Sequence, residues 1–359
     1  MKPINYAVIG SGWRSLFYIR LAKAYPQYFR LAAVLCRTEE KAEYMRKEYM
    51  VHAVTDEAGV KSENPDFLVV AVNKDSIFQV TRKWALKGYP VLCETPAAMK
   101  LEDLYELWHL HSEEGMKIQV AEQYFLYPAY QAALRAVEKG YLGDPYMVSI
   151  SAAHDYHGAS LIRSFLGVSF QNMKVFGKEY TYPVVETDSR YGLIEDGRIQ
   201  ERGRIRLTFE FEGGKTAFYD FSGVQYHSKI RSRHLNIQGP RGELDDWVLR
   251  WVDEVNRSQE QVILQNPFGD GREIKEILLD GKELYRNPFY EMGEENILPQ
   301  DETAIGAILL GMRRFIEDGT EVYPFSEALQ DAYIRLLMEK ALRSGETEES
   351  ETQPWADRG

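Results

Sequence analysis

Along the first third of the chain, short apolar runs alternate with longer segments of helical periodicity. The run DFLVVAV (66–72) is apolar at consecutive positions, which is typical of a parallel strand buried on both faces. The predicted strands are 4–10, 31–36, 66–72, 90–94 and 117–123, and the predicted helices are 16–25, 39–49, 77–88 and 101–115. Strands that alternate with helices indicate right-handed βαβ units and a doubly wound parallel sheet.

Beyond a helix near 128–139 the pattern changes to alternating, strand-like segments. Residues 203–223 predict a hairpin, because apolar residues recur at every second position on either side of Gly213 and Gly214. Further strands are predicted over 145–153 and 229–239, and late helices over 301–318 and 326–343. We therefore predict three parts: an α/β domain (1–122), an α+β domain with an antiparallel sheet (123–343), and an acidic flexible tail (344–359).

Composition narrows the class of protein. The 359 residues carry a formal net charge of −12, which argues against a general nucleic-acid or anionic-membrane binder. Cys36 and Cys93 lie in apolar stretches without C-x-x-C spacing, so we expect buried free thiols. The N-terminus lacks the apolar region of a signal peptide, and no apolar run approaches the length of a membrane span. These features predict a cytoplasmic protein whose partner is a small molecule.

The segment VIGSGWRS (8–15) joins the first predicted strand to the first predicted helix. Gly10 permits a tight turn, and Gly12 lets the backbone approach a pyrophosphate that the helix N-terminus stabilises. Ser15 stands where this fingerprint has its third glycine, and it is a small but imperfect substitute. In an N-terminal βαβ unit, the pattern predicts a dinucleotide-binding loop.

The end of the second strand bears on the choice of cofactor. An NAD site usually places an acidic residue there, on the 2′-hydroxyl of the ribose. This chain has Cys36 at that point, followed by Arg37 and Thr38. Arg37 can pair with a 2′-phosphate, although a solvated arginine at the end of a strand is also common. We therefore expect NADP or NAD and favour NADP.

A second motif, GYPVLCETPAAMK (88–100), completes a recognisable pattern. Together with VIGSGWRS it resembles the Gfo/Idh/MocA family of NAD(P)-dependent oxidoreductases. The resemblance extends over nearly the whole chain, through NPDFLVVAV, GYLGDPYMVS and HGASLIRSFLG. It implies an N-terminal Rossmann domain, a C-terminal α+β domain with an open, largely antiparallel sheet, and activity on sugars, inositols or related polyols.

The chain departs from this family where the resemblance implies catalysis. The lysine of the family's E-K-P turn is Thr95 here, and threonine carries no titratable proton near neutrality. The family aspartate four residues before the histidine falls on Ala153, whereas the histidine itself matches His157. The family mechanism therefore cannot be carried over unchanged.

The stretch HDYHGASLIR (154–163) gathers several proton carriers. A carbinol that loses or gains hydride needs a partner for its hydroxyl proton, and histidine has an unperturbed pKa of about 6.5. His157 is therefore the predicted acid/base, and Tyr156 and Thr95 are the other catalytic candidates. A metal site on His154 and His157 and a hydrogen-bonded polar loop are the alternatives. We expect no metal, because catalytic zinc sites use three protein ligands.

The remaining candidates are assigned to substrate or cofactor. For Glu94 the resemblance implies a place near the nicotinamide ribose, whereas Asn73 is also a common turn residue. The substrate-binding candidates are Arg163, His154 and Tyr124. The cofactor-binding candidates are Gly10, Gly12, Trp13, Arg14, Arg37, Thr38, Asn73, Glu94 and Pro96.

Three functions remain open at this point. The first is an oxidoreductase acting on a carbohydrate-like substrate, with His157 as the acid/base. The second is a redox-assisted glycosidase or lyase with a tightly bound cofactor, and the third is a catalytically silent relative that binds nucleotide or sugar. The resemblance also implies a homodimer or homotetramer formed through the open sheet, with exposed aromatic residues along 205–221 as part of that face. Neither nucleic acid nor membrane is expected as a partner.

Overall fold

The N-terminal third forms a six-stranded parallel sheet with helices on both faces, in a computed structural model that describes residues 2–189, 192–268, 273–294 and 297–356. The strands are β1 Ile4–Ile9, β2 Phe29–Leu35, β3 Ala53–Val54, β4 Phe67–Val70, β5 Val91–Cys93 and β6 Ile118–Val120. The helices between them are α1 Ser15–Ala24, α2 Glu39–Tyr49, α3 Glu57–Ser62, α4 Lys74–Ala85 and α5 Leu101–Ser112.

The strand order β3-β2-β1-β4-β5-β6 is that of a Rossmann domain, so this part of the predicted fold class is confirmed. The order reverses between β1 and β4, which opens a crevice at the carboxyl ends of these strands. The short elements β3 and α3 were not predicted. Helix α4 begins three residues earlier than its apolar pattern indicates, because Asn73 caps it by accepting a hydrogen bond from Ser76 N at 2.9 Å.

In the described residues after β6, the chain forms α-helices, short 3₁₀ turns and three further sheets. The helices are α6 Pro128–Glu138, α7 Asp155–Leu166, α8 Pro288–Glu291, α9 Gln300–Asp318 and α10 Phe325–Ser344, with 3₁₀ turns at Tyr124–Leu126 and Gly223–Tyr226. The strands are β7 Met147–Ser151, β8 Met173–Val185, β9 Asp188–Ser189, β10 Gly192–Leu193, β11 Ile199–Phe211, β12 Thr216–Phe221, β13 His234–Gly239, β14 Gly242–Asp245, β15 Val248–Val252, β16 Ser258–Val262, β17 Leu264–Phe268, β18 Glu273–Leu279, β19 Lys282–Arg286 and β20 Glu348–Glu349.

A nine-stranded, mostly antiparallel sheet dominates this second part, as the fold prediction requires. The predicted hairpin is β11 and β12, in which Leu207 pairs with Tyr219 and Phe209 with Ala217. These side chains are buried, so most aromatic residues of 205–221 cannot supply the exposed face proposed for assembly. Phe218 is 44% exposed on the opposite face. Of the aromatic side chains in 205–221, Phe218 is therefore the one available to such a face.

The described part of the acidic segment, residues 344–356, packs against the fold, which corrects the prediction of a flexible tail for these residues; residues 357–359 lie outside the described part of the chain. Strand β20 pairs with β8, and Glu348 forms an ion pair with Lys340 at 2.5 Å. Trp355 is fully buried, and its indole N–H donates to Gln330 Oε1 at 2.7 Å. One tryptophan buries a large apolar surface, and this outweighs the polar composition of the segment around it.

Helix α9 packs onto α1 and brings the end of the chain back to the Rossmann domain. Ile305 and Met312 of α9 lie in one hydrophobic core with Val8 and Phe67 of the parallel sheet. Tyr25 stacks on Phe289 with ring centroids 4.4 Å apart. These contacts fix the second sheet beside the Rossmann crevice. Within the described residues, no helix combines the length and apolar character needed to cross a membrane.

Candidate active site

The turn after β1 has the geometry that close approach of a phosphate requires. Gly10 has a φ of +117°, and a Cβ atom there would lie 2.3 Å from the carbonyl oxygen of Ala71. At Gly12, by contrast, a Cβ atom would meet no atom within 4 Å. Gly10 is therefore required by the protein itself, whereas the missing side chain at Gly12 leaves open space above the N-terminus of α1. That space is where a pyrophosphate is expected.

Ser15 and Arg14 complete the start of α1. Ser15 is fully buried, and its hydroxyl donates to the Gly10 carbonyl oxygen at 3.0 Å, so the small side chain holds the loop closed. Arg14 Nε donates to Glu94 Oε1 at 2.6 Å, and Tyr18 donates its hydroxyl to the same oxygen at 2.5 Å. Burial raises the pKa of Tyr18 well above its usual value, so this hydroxyl stays a donor. Glu94 is thereby held at the rim of the crevice.

The candidates at the outer end of the crevice are exposed. Thr38 caps α2 by accepting from Lys41 N at 3.3 Å, and Arg37 projects into solvent beside it. The buried side chain of Cys36 occupies the position where an NAD site usually carries an acid. The position that usually carries the acid therefore has no carboxylate to repel a 2′-phosphate. The N-cap role of Asn73 places its amide at the carboxyl end of β4, on the same side of the sheet.

His157 lies at the centre of a three-residue hydrogen-bonded chain. Its Nδ1 is 2.5 Å from Glu122 Oε2, and its Nε2 is 3.3 Å from Thr95 Oγ1. Glu122 is fully buried, and it is fixed further because Tyr124 N donates to its other oxygen at 2.9 Å. The side chain of His157 is only 4% exposed. The histidine ring thus points one nitrogen at a buried carboxyl group and the other at the cleft.

Close helix packing sets the position of this histidine. Helix α7 starts directly after the loop that follows β7, and Gly158 lets its first turn approach β12. A Cβ atom at Gly158 would lie 2.4 Å from the Tyr219 ring. The Tyr219 hydroxyl donates to the Ala153 carbonyl oxygen at 2.9 Å and anchors the loop. A larger residue at position 158 would therefore push His157 away from Glu122.

Burial shifts the pKa values of Glu122 and His157 in opposite directions. It raises the pKa of Glu122 to about 8 and lowers the pKa of His157 to about 3. Both shifts favour the uncharged forms, so near neutrality the pair holds two protons and no net charge. In that state Glu122 donates to Nδ1 and the ring carries its own proton on Nε2, toward the cleft. Loss of one proton from the pair frees Nε2 as an acceptor.

Aromatic side chains enclose the exposed side of the ring. Tyr124 stacks on His157 with centroids 4.2 Å apart, and its hydroxyl donates to that of Tyr226 at 3.2 Å. Tyr226 also contacts Nδ1 of His154 and accepts from the backbone N–H of His154 at 3.0 Å. His154 and His157 have ring centroids 4.8 Å apart, so the predicted proximity of the two histidines is present. The described residues contain no cluster of three or more metal-ligating side chains.

These groups line one cleft between the two sheets. It brings together several predicted residues from separate elements, among them Glu94, Thr95 and His157. The other predicted residues that line it are Trp13, Arg14, Tyr124 and His154, and the further lining residues are Val72, Gln123, Tyr127, Tyr226, His227, Arg233, Gln300 and Asp301. Pro96 follows Thr95 through a cis peptide bond. The phosphate loop and the histidine thus belong to one continuous crevice.

Comparison with known proteins agrees with this arrangement. Residues 4–122 match an oxidoreductase family with an NAD-binding Rossmann fold, the Gfo/Idh/MocA family. This match covers the N-terminal Rossmann domain and stops before the second sheet. An uncharacterized oxidoreductase of Schizosaccharomyces pombe is 26% identical over 148 residues, which is 40% of this chain and 40% of that protein.

Solved structures extend the likeness in fold to almost the whole chain. An oxidoreductase domain protein from Kribbella flavida superposes with a TM-score of 0.70 at 16% identity, over 97% of this chain and 99% of that one. The scyllo-inositol dehydrogenase of Lactobacillus casei gives a TM-score of 0.65 at 15% identity, over 97% and 98%. At these identities the likeness shows the fold alone, and it extends over both sheets.

Two of the predicted catalytic and substrate-binding residues, Tyr156 and Arg163, lie outside the cleft. Tyr156 precedes His157 on α7, but its ring is buried in the core and is not part of the cleft lining. Arg163 is 2% exposed, and its guanidinium donates to Asp331 Oδ1 at 2.6 Å and to the Ser169 carbonyl oxygen at 2.6 Å. Arg163 also pairs with Glu327. It therefore ties α7 to α10 instead of binding substrate, and Tyr156 packs instead of reacting.

Sequence reasoning missed Glu122 and Tyr226. Glu122 follows β6, at the predicted domain boundary, and the Gfo/Idh/MocA pattern assigns nothing to that position in the motifs quoted above. A glutamate that directly follows an apolar strand is the signal that was available, since the carboxyl ends of parallel strands face the ligand crevice. Tyr226 lies in a 3₁₀ turn without a motif, so its approach to His154 depends on the folded sheet alone.

Proposed function

We propose that this chain is an NAD(P)-dependent oxidoreductase that acts on a sugar, inositol or related polyol, with His157 as its acid/base. The observation that carries the proposal is the Glu122–His157–Thr95 chain, which lies in the same cleft as the phosphate loop. It gives a buried, oriented imidazole with one nitrogen facing the cleft. In the Gfo/Idh/MocA family the neighbouring lysine and aspartate would share this task, and here they are Thr95 and Ala153.

The protons can be followed through the pair in both directions. When a carbonyl is reduced, Nε2–H gives its proton to the new alkoxide oxygen, and the proton on Glu122 moves to Nδ1. When an alcohol is oxidised, Nε2 accepts the hydroxyl proton while Nδ1–H donates to the Glu122 carboxylate. Thr95 has no proton to give near neutrality, and it orients the ring through Nε2. Either direction needs only the movement of one proton across the imidazole.

The residues present fit a nicotinamide dinucleotide. Gly12 offers open backbone at the N-terminus of α1, and Arg14 Nη2 is buried without a hydrogen-bond acceptor among the described residues. An anionic pyrophosphate would satisfy both features. Gly10, Gly12 and Arg14 would hold the phosphates, and Glu94 and Asn73 would lie toward the nicotinamide end. The bound group supplies a hydride acceptor or donor.

We further propose that NADP is preferred to NAD. The support is local: Cys36 replaces the usual acid, and Arg37 is exposed next to it without an ion pair among the residues that the structure describes. A guanidinium binds a phosphate group through paired, charge-assisted hydrogen bonds. Trp13, 50% exposed at the loop, is expected to cover the cofactor from the solvent side.

The test is cofactor reduction by the purified chain. With oxidised NADP or NAD and a panel of hexoses, inositols and polyols, at least one substrate should produce reduced nicotinamide, measured by absorbance. The oxidation rate should rise with pH through about 8, because the form of the pair that accepts a proton appears as Glu122 ionises.

Two outcomes would contradict the proposal. The first is tight binding of the dinucleotide with no reduced cofactor on any member of the panel. The second is bond cleavage in a glycoside with no net release of reduced cofactor, which is the behaviour of a redox-assisted glycosidase or lyase. Titration of the purified chain with each dinucleotide, followed by tryptophan fluorescence, gives the ratio of NADP to NAD affinity in the same series.

A further inference from the structure

A second pocket opens beside the proposed catalytic cleft. The two share three lining residues, Tyr127, Arg233 and Gln300, so they adjoin one another. Trp247 and Tyr130 contribute aromatic surface to the second pocket. Its remaining lining residues are Pro128, Ala129, Ala152, His234, Leu235, Asp246, Gln265 and Ile274. A substrate whose reacting carbon lies at His157 can therefore extend into this pocket.

Arg233 stands at the junction of the two spaces. Its guanidinium carbon lies 5.1 Å from the centroid of the Tyr226 ring, within the range of a cation–π contact. The Tyr226 hydroxyl accepts from Tyr124, whose ring covers His157. A row of packed side chains thus runs from the imidazole to Arg233. The guanidinium is held near the reacting end of the cleft without filling it.

The acidic groups of this region already have partners. Glu94 accepts from Arg14, and Asp301 accepts from the Tyr127 hydroxyl. In the second pocket Asp246 accepts from Leu235 N at 2.8 Å, and its other oxygen lies 3.1 Å from His234 Nδ1.

Arg233 differs from the other arginines near the site. Arg14 and Arg163 form ion pairs, whereas Arg233 forms none with any carboxylate in the described part of the chain. It is exposed, lies on an aromatic face and borders two pockets. Arg233 also has a side-chain hydrogen bond with Tyr130. A guanidinium has five N–H donors, so the remaining ones can recognise a carboxylate or phosphate at two points.

We propose that Arg233 binds an anionic group, a carboxylate or a phosphate, on the carbohydrate substrate. The proposal rests on the proposed function and makes its substrate class narrower: sugar acids or sugar phosphates in place of neutral sugars. Arg233 is then a specificity-determining residue, whereas His157 keeps the acid/base task.

The experiment measures binding and turnover separately. For the chain saturated with oxidised cofactor, calorimetry gives dissociation constants for neutral, carboxylated and phosphorylated forms of the same hexoses, such as glucose, glucuronate and a glucose phosphate. We expect an anionic form to bind more tightly than its neutral parent. Arg233→Gln should raise the dissociation constant of that anionic form by roughly 10- to 100-fold, which is the usual effect of losing a hydrogen bond to a charged group. The dissociation constant of the neutral form should not change.

Two further variants control for structure. Arg233→Lys keeps the charge and should retain part of the preference. Arg231→Gln removes a nearby exposed arginine that lines neither pocket, and it should change nothing. Whichever acid loses affinity in Arg233→Gln, the carboxylate or the phosphate, identifies the group.

Equal affinity for neutral and anionic forms would overturn the proposal, and so would an equal loss of both in Arg233→Gln. Binding requires no turnover, so a preference for anions can be read even if no reduced cofactor appears. Failure of the proposed function and failure of this inference are therefore distinguishable.

Discussion

The two ends of the cleft are built in different ways. At the cofactor end, Gly10, Gly12, Arg14 and Ser15 come from a single loop of neighbouring residues, and local backbone geometry explains their roles. At the substrate end, the important side chains come from separate elements, including the strand ends at 94–95 and 122, helix α7 and a 3₁₀ turn. A site made by one loop can be identified by its motif, whereas an assembled site depends on the fold.

This difference also bears on how the proposed acid/base centre differs from the family pattern. The positions expected to carry lysine and aspartate hold Thr95 and Ala153, yet His157 still has a carboxyl partner. Glu122 supplies it from the carboxyl end of β6, 35 positions away in the chain. The chemistry of an oriented imidazole is thus retained with a carboxyl group from another strand. The cofactor end shows no such relocation.

Replacing His157 by alanine should have the largest effect on activity, and it should show that catalysis and cofactor binding depend on different ends of the cleft. We expect kcat to fall by about 10² to 10⁴, the usual contribution of a general acid/base, with cofactor affinity nearly unchanged. Steady-state kinetics and dinucleotide titration measure the two quantities. His109→Ala, an exposed histidine on α5, is the matched control and should leave both unchanged. An equal loss of kcat and of cofactor affinity would assign His157 a structural role instead.

A pair of glycine variants tests the cofactor end. Gly12→Ala should fold with an unchanged melting temperature, because its Cβ meets no atom within 4 Å, yet it should obstruct the pyrophosphate. Loss of one charge-assisted hydrogen bond would raise the dissociation constant by roughly 10- to 100-fold. Gly10→Ala should instead lower the melting temperature, since its φ is +117° and its Cβ would lie 2.3 Å from the Ala71 carbonyl oxygen.

Thermal unfolding measures the melting temperatures of both glycine variants, and dinucleotide titration measures their dissociation constants. If Gly12→Ala binds the dinucleotide as well as the wild-type chain does, the loop does not receive the phosphates. If Gly10→Ala is as stable as the wild-type chain, the turn tolerates a side chain and the close approach to Ala71 is not required.

The sequence predicted the Rossmann half well because its signals are local. The apolar run at β4, the cap at Thr38 and the glycines of the first turn each act over a few residues, and each is present in the structure. The elements β3 and α3 were missed because they are too short for a periodic pattern. Arg163 was misassigned, since its burial against Asp331 on α10 depends on a contact 168 positions away in the chain.

The same limit explains the remaining differences at the substrate end. Tyr156 and His157 are adjacent, and only the packing of α7 determines which of them faces the cleft. Composition predicted disorder for the acidic end of the chain, but one residue, Trp355, is buried against α10. Charge patterns describe an average surface, so they cannot show where a single aromatic side chain finds a pocket.

The smallest predicted effect is on the pH dependence of the free energy of unfolding, and it tests the protonation state of Glu122. A glutamate whose folded pKa is raised to about 8 stabilises the fold fully below its usual pKa of 4.5, and this contribution is lost as pH rises through 8. His157, whose folded pKa is lowered to about 3 from 6.5, contributes in the opposite sense, and that contribution is complete above pH 6.5. Within this pair, the contribution that falls between pH 6.5 and 8 is that of Glu122. Burial also raises the pKa of Asp331 to about 7, so Asp331 lowers stability over the same interval in the wild-type chain and in any variant at position 122 alike.

Ionisation of Glu122 should therefore lower the free energy of unfolding of the wild-type chain by about 1–2 kcal/mol over that interval, at 1.36 kcal/mol per pH unit for one proton. Glu122→Gln should lack this part of the decrease, because glutamine does not ionise. Urea unfolding at pH 6.5 and pH 8 measures it, and Glu102→Gln, an exposed glutamate on α5, should behave like the wild-type chain. If Glu122→Gln loses stability with pH as steeply as the wild-type chain, the carboxyl group ionises normally. His157 would then face a permanent carboxylate, and the proton shared between them, which distinguishes the substrate end from the cofactor end, would be absent.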